Sequence, residues 1–400
     1  TLNAVLDPNG PVFYAGFDAD TGGDPRVIYD QFSNRFIVMT MRLEPARLYL
    51  AVSKGYDPVM RPNDPDSPSA EDWDKFDIDA RLCLSYDPQP TDCTHGFHYG
   101  GLAVTPEAIY VTSIQDLFYV LGEPGRGHSI RILRKPPVGE TSAFFENSAN
   151  YKRLFVPLNS NEDPKLGNII TLPMPAQFLA AMSPETMYFV QIWKHNDNGN
   201  SRLRVFAVTD PLGTPVLHTF ELPPIPRIRP AVPGGQLCPP VPFVLPSLGN
   251  VQNVVWRSGR LYFAFEDAPL VPPGQVRRMI PRWYEVATNG WPHSGQNPSI
   301  LQSGGLDGGR VWINDNPADD RPVDFTYPNI MLSGTGPTPD MALFVHRIYS
   351  RGYVDVCWTG RRASDAAGQL GAAITIMQAS SAGFREPAHP GRFGEYQGVS

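Results

Sequence analysis

The sequence predicts an all-β protein made of repeated antiparallel meanders, and three observations carry that expectation. Proline is abundant, apolar residues come in short runs, and the runs recur in sets of three. There are 43 prolines and 36 glycines among 400 residues. Proline therefore stands at about twice its usual ~5% share. It lacks a backbone donor and breaks helix interiors, so a chain this rich in it is not mostly helical. The prolines fall between apolar runs, as in Leu222-Pro223-Pro224-Ile225-Pro226, where they punctuate strands.

The runs are β-branched and aromatic, and turn residues bound them. Val27 to Tyr29, Arg35 to Met41 and Leu48 to Val52 form a first meander, with Asn34 at one turn and Glu44-Pro45 at the next. Leu102 to Val104, Ala108 to Thr112 and Ser129 to Leu133 form a second. Thr186 to Trp193, Leu203 to Val208 and Val216 to Leu222 form a third, with a turn at Asn196 to Asn200. Asn253 to Trp256, Arg260 to Phe265 and Trp283 to Val286 form a fourth. Asn329 to Leu332, Met341 to His346 and Val354 to Trp358 form a fifth, and Ala372 to Met377 begins another. Only Ala176 to Met182 has the pattern of a helical turn or two.

Successive meanders with no amphipathic helix indicate radial repetition of antiparallel sheets. The expectation is a single β-propeller of five to seven degenerate blades spanning residues 1–400, with long loop insertions. About eighteen strands are too many for one ordinary β-sandwich. The insertions are Gly55 to Asp79, Pro223 to Pro246 and Gly290 to Asp324. Loops of that length tend to be functional or disordered. Val12 to Phe17 is an apolar run ahead of the first meander, expected to pair with C-terminal strands and complete the last blade.

Charge and cysteine narrow the function. Charged residues make up only 18% of the chain and the formal net charge is −7. No basic stripe interleaves with aromatics, which argues against nucleic acid as a partner. No apolar run approaches the ~20 residues of a transmembrane segment. The chain starts at Thr1, as a processed secreted protein does, and the expectation is a secreted or cell-surface protein, extracellular or periplasmic. Cys83 and Cys93 flank a short polar loop that a disulfide would close, leaving Cys238 and Cys357 as a distant pair. Four cysteines nevertheless permit three connectivities.

Gly23-Asp24-Pro25-Arg26-Val27-Ile28-Tyr29-Asp30, followed by Asn34-Arg35-Phe36, resembles a group of secreted bacterial β-propeller proteins. These are loosely related to the sialidase-like propellers and mostly uncharacterised. Leu102 to Thr112, Arg257 to Tyr262, Arg282 to Val286 and Gly394 to Val399 fit the same pattern in the same order. The resemblance implies a propeller outside the cytoplasm and supplies no catalytic residues. The sialidase box Ser-x-Asp-x-Gly-x-Thr-Trp does not occur here, which argues against sialidase activity itself.

Three groups of residues carry chemistry. Asp18, Asp20 and Asp24 alternate in a glycine-bent loop, a pattern that points several oxygens at a hard cation such as Ca²⁺; a solvated turn has the same composition. Asn314 to Asp324, with four aspartates, is a weaker candidate of that kind. Arg26, Arg257, Arg282 and Arg347 stand near strand ends, where a guanidinium can clamp a carboxylate. Tyr29, Tyr284, Asp24 and Asp30 are the accompanying acid, base or nucleophile candidates, although Asp–Arg pairs and tyrosine hydroxyls also satisfy blade turns. His95 and His98 follow Cys93, and His98 is a candidate base near neutral pH.

No serine-nucleophile elbow, zinc-protease motif or phosphate-binding loop is present. The leading expectation is an extracellular propeller that binds or scaffolds a glycan or an extracellular protein. The alternatives are a carbohydrate-active enzyme (glycoside hydrolase or polysaccharide lyase) and a structural subunit of a surface layer or filament.

Overall fold

The computed structural model describes residues 25–42, 46–56, 58, 72–81, 96–116, 126–157, 169–178, 185–194, 201–226, 234–235, 243–244, 251–267, 279–306, 310–312, 320–333, 338–349, 355–371 and 375–378. They form a β-propeller of five meander blades. Blade one holds β1 (Arg26–Asp30), β2 (Arg35–Arg42), β3 (Arg47–Ser53) and β4 (Trp73–Asp79). Blade two holds β5 (Gly96–Val104), β6 (Ala108–Asp116), β7 (Arg126–Arg134) and β8 (Tyr151–Pro157). In blade three, the short β9 (Ile169–Ile170) precedes β10 (Met174–Phe178), β11 (Met187–Lys194), β12 (Arg202–Thr209) and β13 (Val216–Glu221). A two-residue ladder of β14 (Gly234–Gly235) and β15 (Phe243–Val244) follows. Blade four holds β16 (Val254–Arg257), β17 (Arg260–Asp267), β18 (Ile280–Ala287) and β19 (Ser299–Gly305). Blade five holds β20 (Arg310–Trp312), β21 (Asp320–Ser333), β22 (Asp340–Tyr349), β23 (Asp355–Arg361) and β24 (Thr375–Gln378).

Each blade is antiparallel within itself, and the inner strands β1, β5, β10, β16 and β21 succeed one another around the axis. Blades three and four go further. Their inner strands pair in parallel, Ala176 with Val254 and Phe178 with Trp256, making one continuous sheet of nine strands. Between blades four and five a side chain does that work. The amide of Asn253 donates to the Ile330 carbonyl at 2.8 Å, and its oxygen accepts the Ile330 N–H at 3.0 Å. Such a two-bond clasp satisfies the donor and acceptor of one residue of β21 as a neighbouring strand would.

Strand alternation divides each blade into two faces, and both faces are apolar because both are covered. Ile37, Met39, Leu48, Leu50 and Phe76 of blade one meet Leu102, Ile109, Val111 and Leu133 of blade two. Tyr110 and Ile132 on the other face of blade two meet Phe189 and Phe206 of blade three. Polar struts cross the same interfaces. Arg131, fully buried, donates to the Ala80 carbonyl at 2.6 Å, the Tyr151 hydroxyl at 3.0 Å and the Ser113 hydroxyl at 3.1 Å. Burial holds its pKa below the usual arginine range.

Several sequence expectations change. Ala176–Phe178 is strand β10, not the start of a helical turn: pairing with β11 and β16 overrides the local preference. Trp73–Asp79 and Ser299–Gly305, placed by the sequence inside loop insertions, are the fourth strands of blades one and four. Ala372 to Met377 starts no further blade; Thr375–Gln378 pairs with β23 as the fourth blade strand of blade five. Val12 to Phe17 and Gly394 to Val399 lie outside the described residues.

Candidate functional site

The two ends of the propeller differ in chemistry. At one end the inner strands turn into the second strands, and cross-blade contacts tie this end. Gln31 donates its side-chain amide to the Phe178 carbonyl at 2.5 Å, linking blade one to blade three. The Phe178 and Trp256 rings meet edge to face with centroids 5.3 Å apart, and Arg257 donates to the Ser333 carbonyl at 3.2 Å.

At the opposite end the second strands finish and the third strands begin. Buried polar side chains gather there: Thr112 and Ser113 on β6, His128 on β7, Gln191 on β11, Glu266 and Asp267 on β17, and His346 on β22. Glu266 and Asp267 have no solvent exposure. Apolar strands end in charged residues there. Phe265 runs into Glu266-Asp267, and Val345 into His346-Arg347.

Glu266 joins blade four to blade five at this end. It accepts the Thr326 hydroxyl and, at 2.5 Å, the Tyr327 N–H, both from the inner strand of blade five. Tyr327 stands at a bulge of β21 with φ of 50°. A bulky residue rarely takes that conformation, and the carboxylate bond holds it there. The bulge turns the Tyr327 ring edge-on to His346, with centroids 6.2 Å apart. Burial lowers the His346 pKa to about 4, so the imidazole is neutral at physiological pH.

Two ion pairs flank the cluster. Arg282 Nε lies 2.6 Å from Asp267 Oδ2. Arg347 grips Asp355 through two nitrogens at 2.5 and 3.1 Å. Glu266 and Asp267 are neighbours in one strand and project to opposite faces of blade four. Glu266 faces blade five, whereas Asp267 shares its face with Phe265 and Tyr284, which pack towards blade three.

The residues singled out from sequence do not converge. Tyr29 is partly exposed beside the tied end and donates to Asn34 Oδ1 at 3.1 Å. Asp30 is buried and fastens the same turn. Arg257 belongs to the tied end, and Arg282 to the polar end as the partner of Asp267. Tyr284 is a core residue stacked between Phe263 and Phe265 at 5.6 and 5.5 Å. Burial pushes its hydroxyl up to about 12, far from a working acid or base. His98 lies in β5 opposite Ile114, beside a bulge at the polar end. Of the arginines, Arg26 donates to the Gly100 carbonyl at 2.8 Å, and Arg282 and Arg347 hold carboxylates of the protein itself.

Asp18, Asp20 and Asp24, with the Ca²⁺ site expected of them, lie outside the described residues, as do Cys83, Cys93 and Cys238. Cys357 is a free thiol buried in the core of blades four and five. Among the described residues no group of three or more His, Cys, Asp or Glu is placed to hold a metal. Nor is any helix there long and apolar enough to cross a membrane.

No protein family matches the chain, and no curated protein does. Solved structures do. The α-L-arabinofuranosidase Arb93A of Fusarium graminearum aligns over 88% of this chain and 92% of its own, at 9% identity and a TM-score of 0.42. An α-L-arabinanase of Penicillium chrysogenum, complexed with arabinobiose, aligns over 90% and 95%, at 9% identity and a TM-score of 0.42. A Synechocystis apocarotenoid oxygenase aligns over 98% of this chain and 66% of its own, at 9% identity and a TM-score of 0.41. These are likenesses of architecture.

Proposed function

We propose that the chain is a carbohydrate-active protein working outside the cytoplasm, and that it binds and cleaves a glycan at the polar end of the propeller. The observation behind this reading is the contrast between the ends. One is tied by Gln31, Phe178 and Trp256, and the other gathers buried carboxylates, hydroxyls, an amide and two imidazoles. Sugars are recognised by dense networks of hydroxyl, amide and carboxylate partners, and glycosidic cleavage needs carboxylates to move protons.

Glu266 is the first candidate for that proton transfer. Asp267 next to it projects to the opposite face, so a second working carboxylate would come from another blade. The experiment is reducing-sugar release by the full chain from neutral and acidic polysaccharides, beside retention of the protein in gels cast with them. Release is expected, and Glu266→Gln is expected to abolish it while keeping the melting temperature, since Gln retains an acceptor for Thr326 and Tyr327.

A glycan-binding role without turnover is the second reading. The carboxylates of Asp267 and Asp355, each engaged by an arginine, favour it. Retention in the gels with no release would select it. Neither retention nor release with any polymer would overturn both readings.

A further inference from the structure

We infer that the seam between blade five and blade one is a seat for an extended segment of this chain, and that its occupant is the apolar run Val12 to Phe17. The inference is independent of the glycan reading. Among the described residues, each of the other four seams holds an apolar cluster drawn from both blades that flank it. At the fifth, the cluster of Phe36, Val38, Ala51 and Trp73 belongs to blade one alone. The inner strand on that face is open as well. Val27 is 59% exposed and Tyr29 38%, whereas no residue of β10 or β16 is exposed.

Asn329 stands on the other wall. It and Asn253 hold the same register, each four residues before the last inner-strand residue paired across the hairpin: Arg257 opposite Arg260, and Ser333 opposite Asp340. Asn253 commits both ends of its amide to Ile330 of the next blade. Asn329 shares a face with Phe344 and Trp358, on the side of blade five turned away from blade four. Its nitrogen donates to the Tyr327 carbonyl at 3.2 Å. Its oxygen accepts no bond, although the residue is only 1% exposed. A buried acceptor without a donor is costly. An extended segment in the seam would supply the N–H, as β21 supplies it to Asn253. Val12 to Phe17 has the composition this seat asks for. It carries no charge, and its alternate sets, Val12-Tyr14-Gly16 and Phe13-Ala15-Phe17, are both free of strongly polar groups, as a strand covered on two faces requires. The eight residues Asp18 to Pro25 tether it to β1. They span up to about 27 Å when extended, and Gly22-Gly23 among them permits a reversal. Gly394 to Val399, near the other end of the chain, carries Glu395 and Gln397 and lacks that pattern.

The test is hydrogen exchange of the full chain, read by mass spectrometry on peptides that cover residues 12–17. Their amides are expected to exchange at least about tenfold more slowly than those of an unstructured chain. Asn329→Leu removes the acceptor and should return about tenfold or more of that protection, with the peptides of β6 and β7 unchanged. If that variant proves unfolded by its melting curve, Val27→Asp places a charge in the same seat from an exposed position and should give the same loss at residues 12–17. Exchange of residues 12–17 at the unstructured rate in the unaltered chain would overturn the inference. Folded variants that leave the protection of residues 12–17 intact would overturn it too, because the segment would then be held elsewhere. Protection that grows with protein concentration would put the segment of a second copy in the seam and overturn the occupant named here.

Discussion

Lys135 reaches from blade two to put its ammonium nitrogen 2.5 Å from Asp30 Oδ2, at the end of the inner strand of blade one. Both side chains are buried, at 9% and 0% exposure. Asp30 also accepts the Phe32 N–H at 3.1 Å and the Ser33 hydroxyl, so one carboxylate closes the turn and bridges two blades. Breaking a buried pair strands the remaining charge and costs about 3–5 kcal/mol. Asp30→Ala is therefore expected to lose stability of that order in urea unfolding. Unchanged stability with loss of a measured activity would instead return Asp30 to the catalytic candidates.

His346 makes stability depend on pH in a definable window. An imidazole in the unfolded chain titrates near 6.5, and burial lowers this one to about 4. The folded value is the lower, so as pH falls the unfolded chain takes up the proton first. The contribution is complete above about pH 6.5 and fades as pH drops towards about 4, a linkage of roughly 3 kcal/mol. His346→Gln removes that titration. Unfolding free energies at about pH 7 and about pH 4.5 should show a smaller acid loss in the variant than in the parent. Equal losses would mean that this histidine is solvated in the fold.

Cys357 should resist thiol reagents. It is fully buried, opposite Val345 and Ile376, and burial raises its pKa. The thiolate is the reacting form, so the native chain should leave Cys357 unmodified at mildly alkaline pH and expose it on unfolding. Peptide mapping after alkylation with and without denaturant reads this directly. Labelling of Cys357 in the native chain would contradict its place in the core, and a disulfide-linked peptide with Cys238 would show it to be bridged instead.

The blades were legible in the sequence because the second and third strands of each carry uninterrupted apolar runs, as in Leu261 to Phe265. Fourth strands were harder to see. Trp73–Asp79 alternates charged and apolar residues at the rim and reads as an acidic loop, and Ser299–Gly305 is half exposed along its length. Inner strand β10 opens the run Ala176 to Met182, which reads as a helical turn, and only its pairing partners make it a strand. The polar end was visible only indirectly. Glu266 and His346 each follow an apolar run, but sequence does not show that both runs end on the same side of a ring. The partner of Arg282 was not legible in the sequence, because Asp267 stands fifteen positions earlier, across a hairpin.

Gly100 and Gly101 allow a paired test of how tightly blade two is seated. Glycine in a strand usually marks close approach of another backbone or side chain, and here the two neighbours meet different obstacles. A methyl group on Gly100 would meet the terminal carbons of Met39 and Met41, the mobile ends of unbranched side chains that can move aside. A methyl group on Gly101 would meet the Pro175 ring, with Thr112 Oγ1 at 2.5 Å and Met174 Sδ at 3.1 Å. The proline ring belongs to β10 and Thr112 is fully buried in β6, so neither can yield without shifting blade three against blade two. Gly101→Ala is expected to cost about 1–3 kcal/mol, the usual range for overpacking, and Gly100→Ala less than about 1 kcal/mol. Thermal unfolding of the two variants side by side checks the order. A Gly100→Ala variant that loses as much as Gly101→Ala would mean that the methionines are as confined as the proline. Equal and negligible losses would mean that blades two and three are not in contact at β5 and β10.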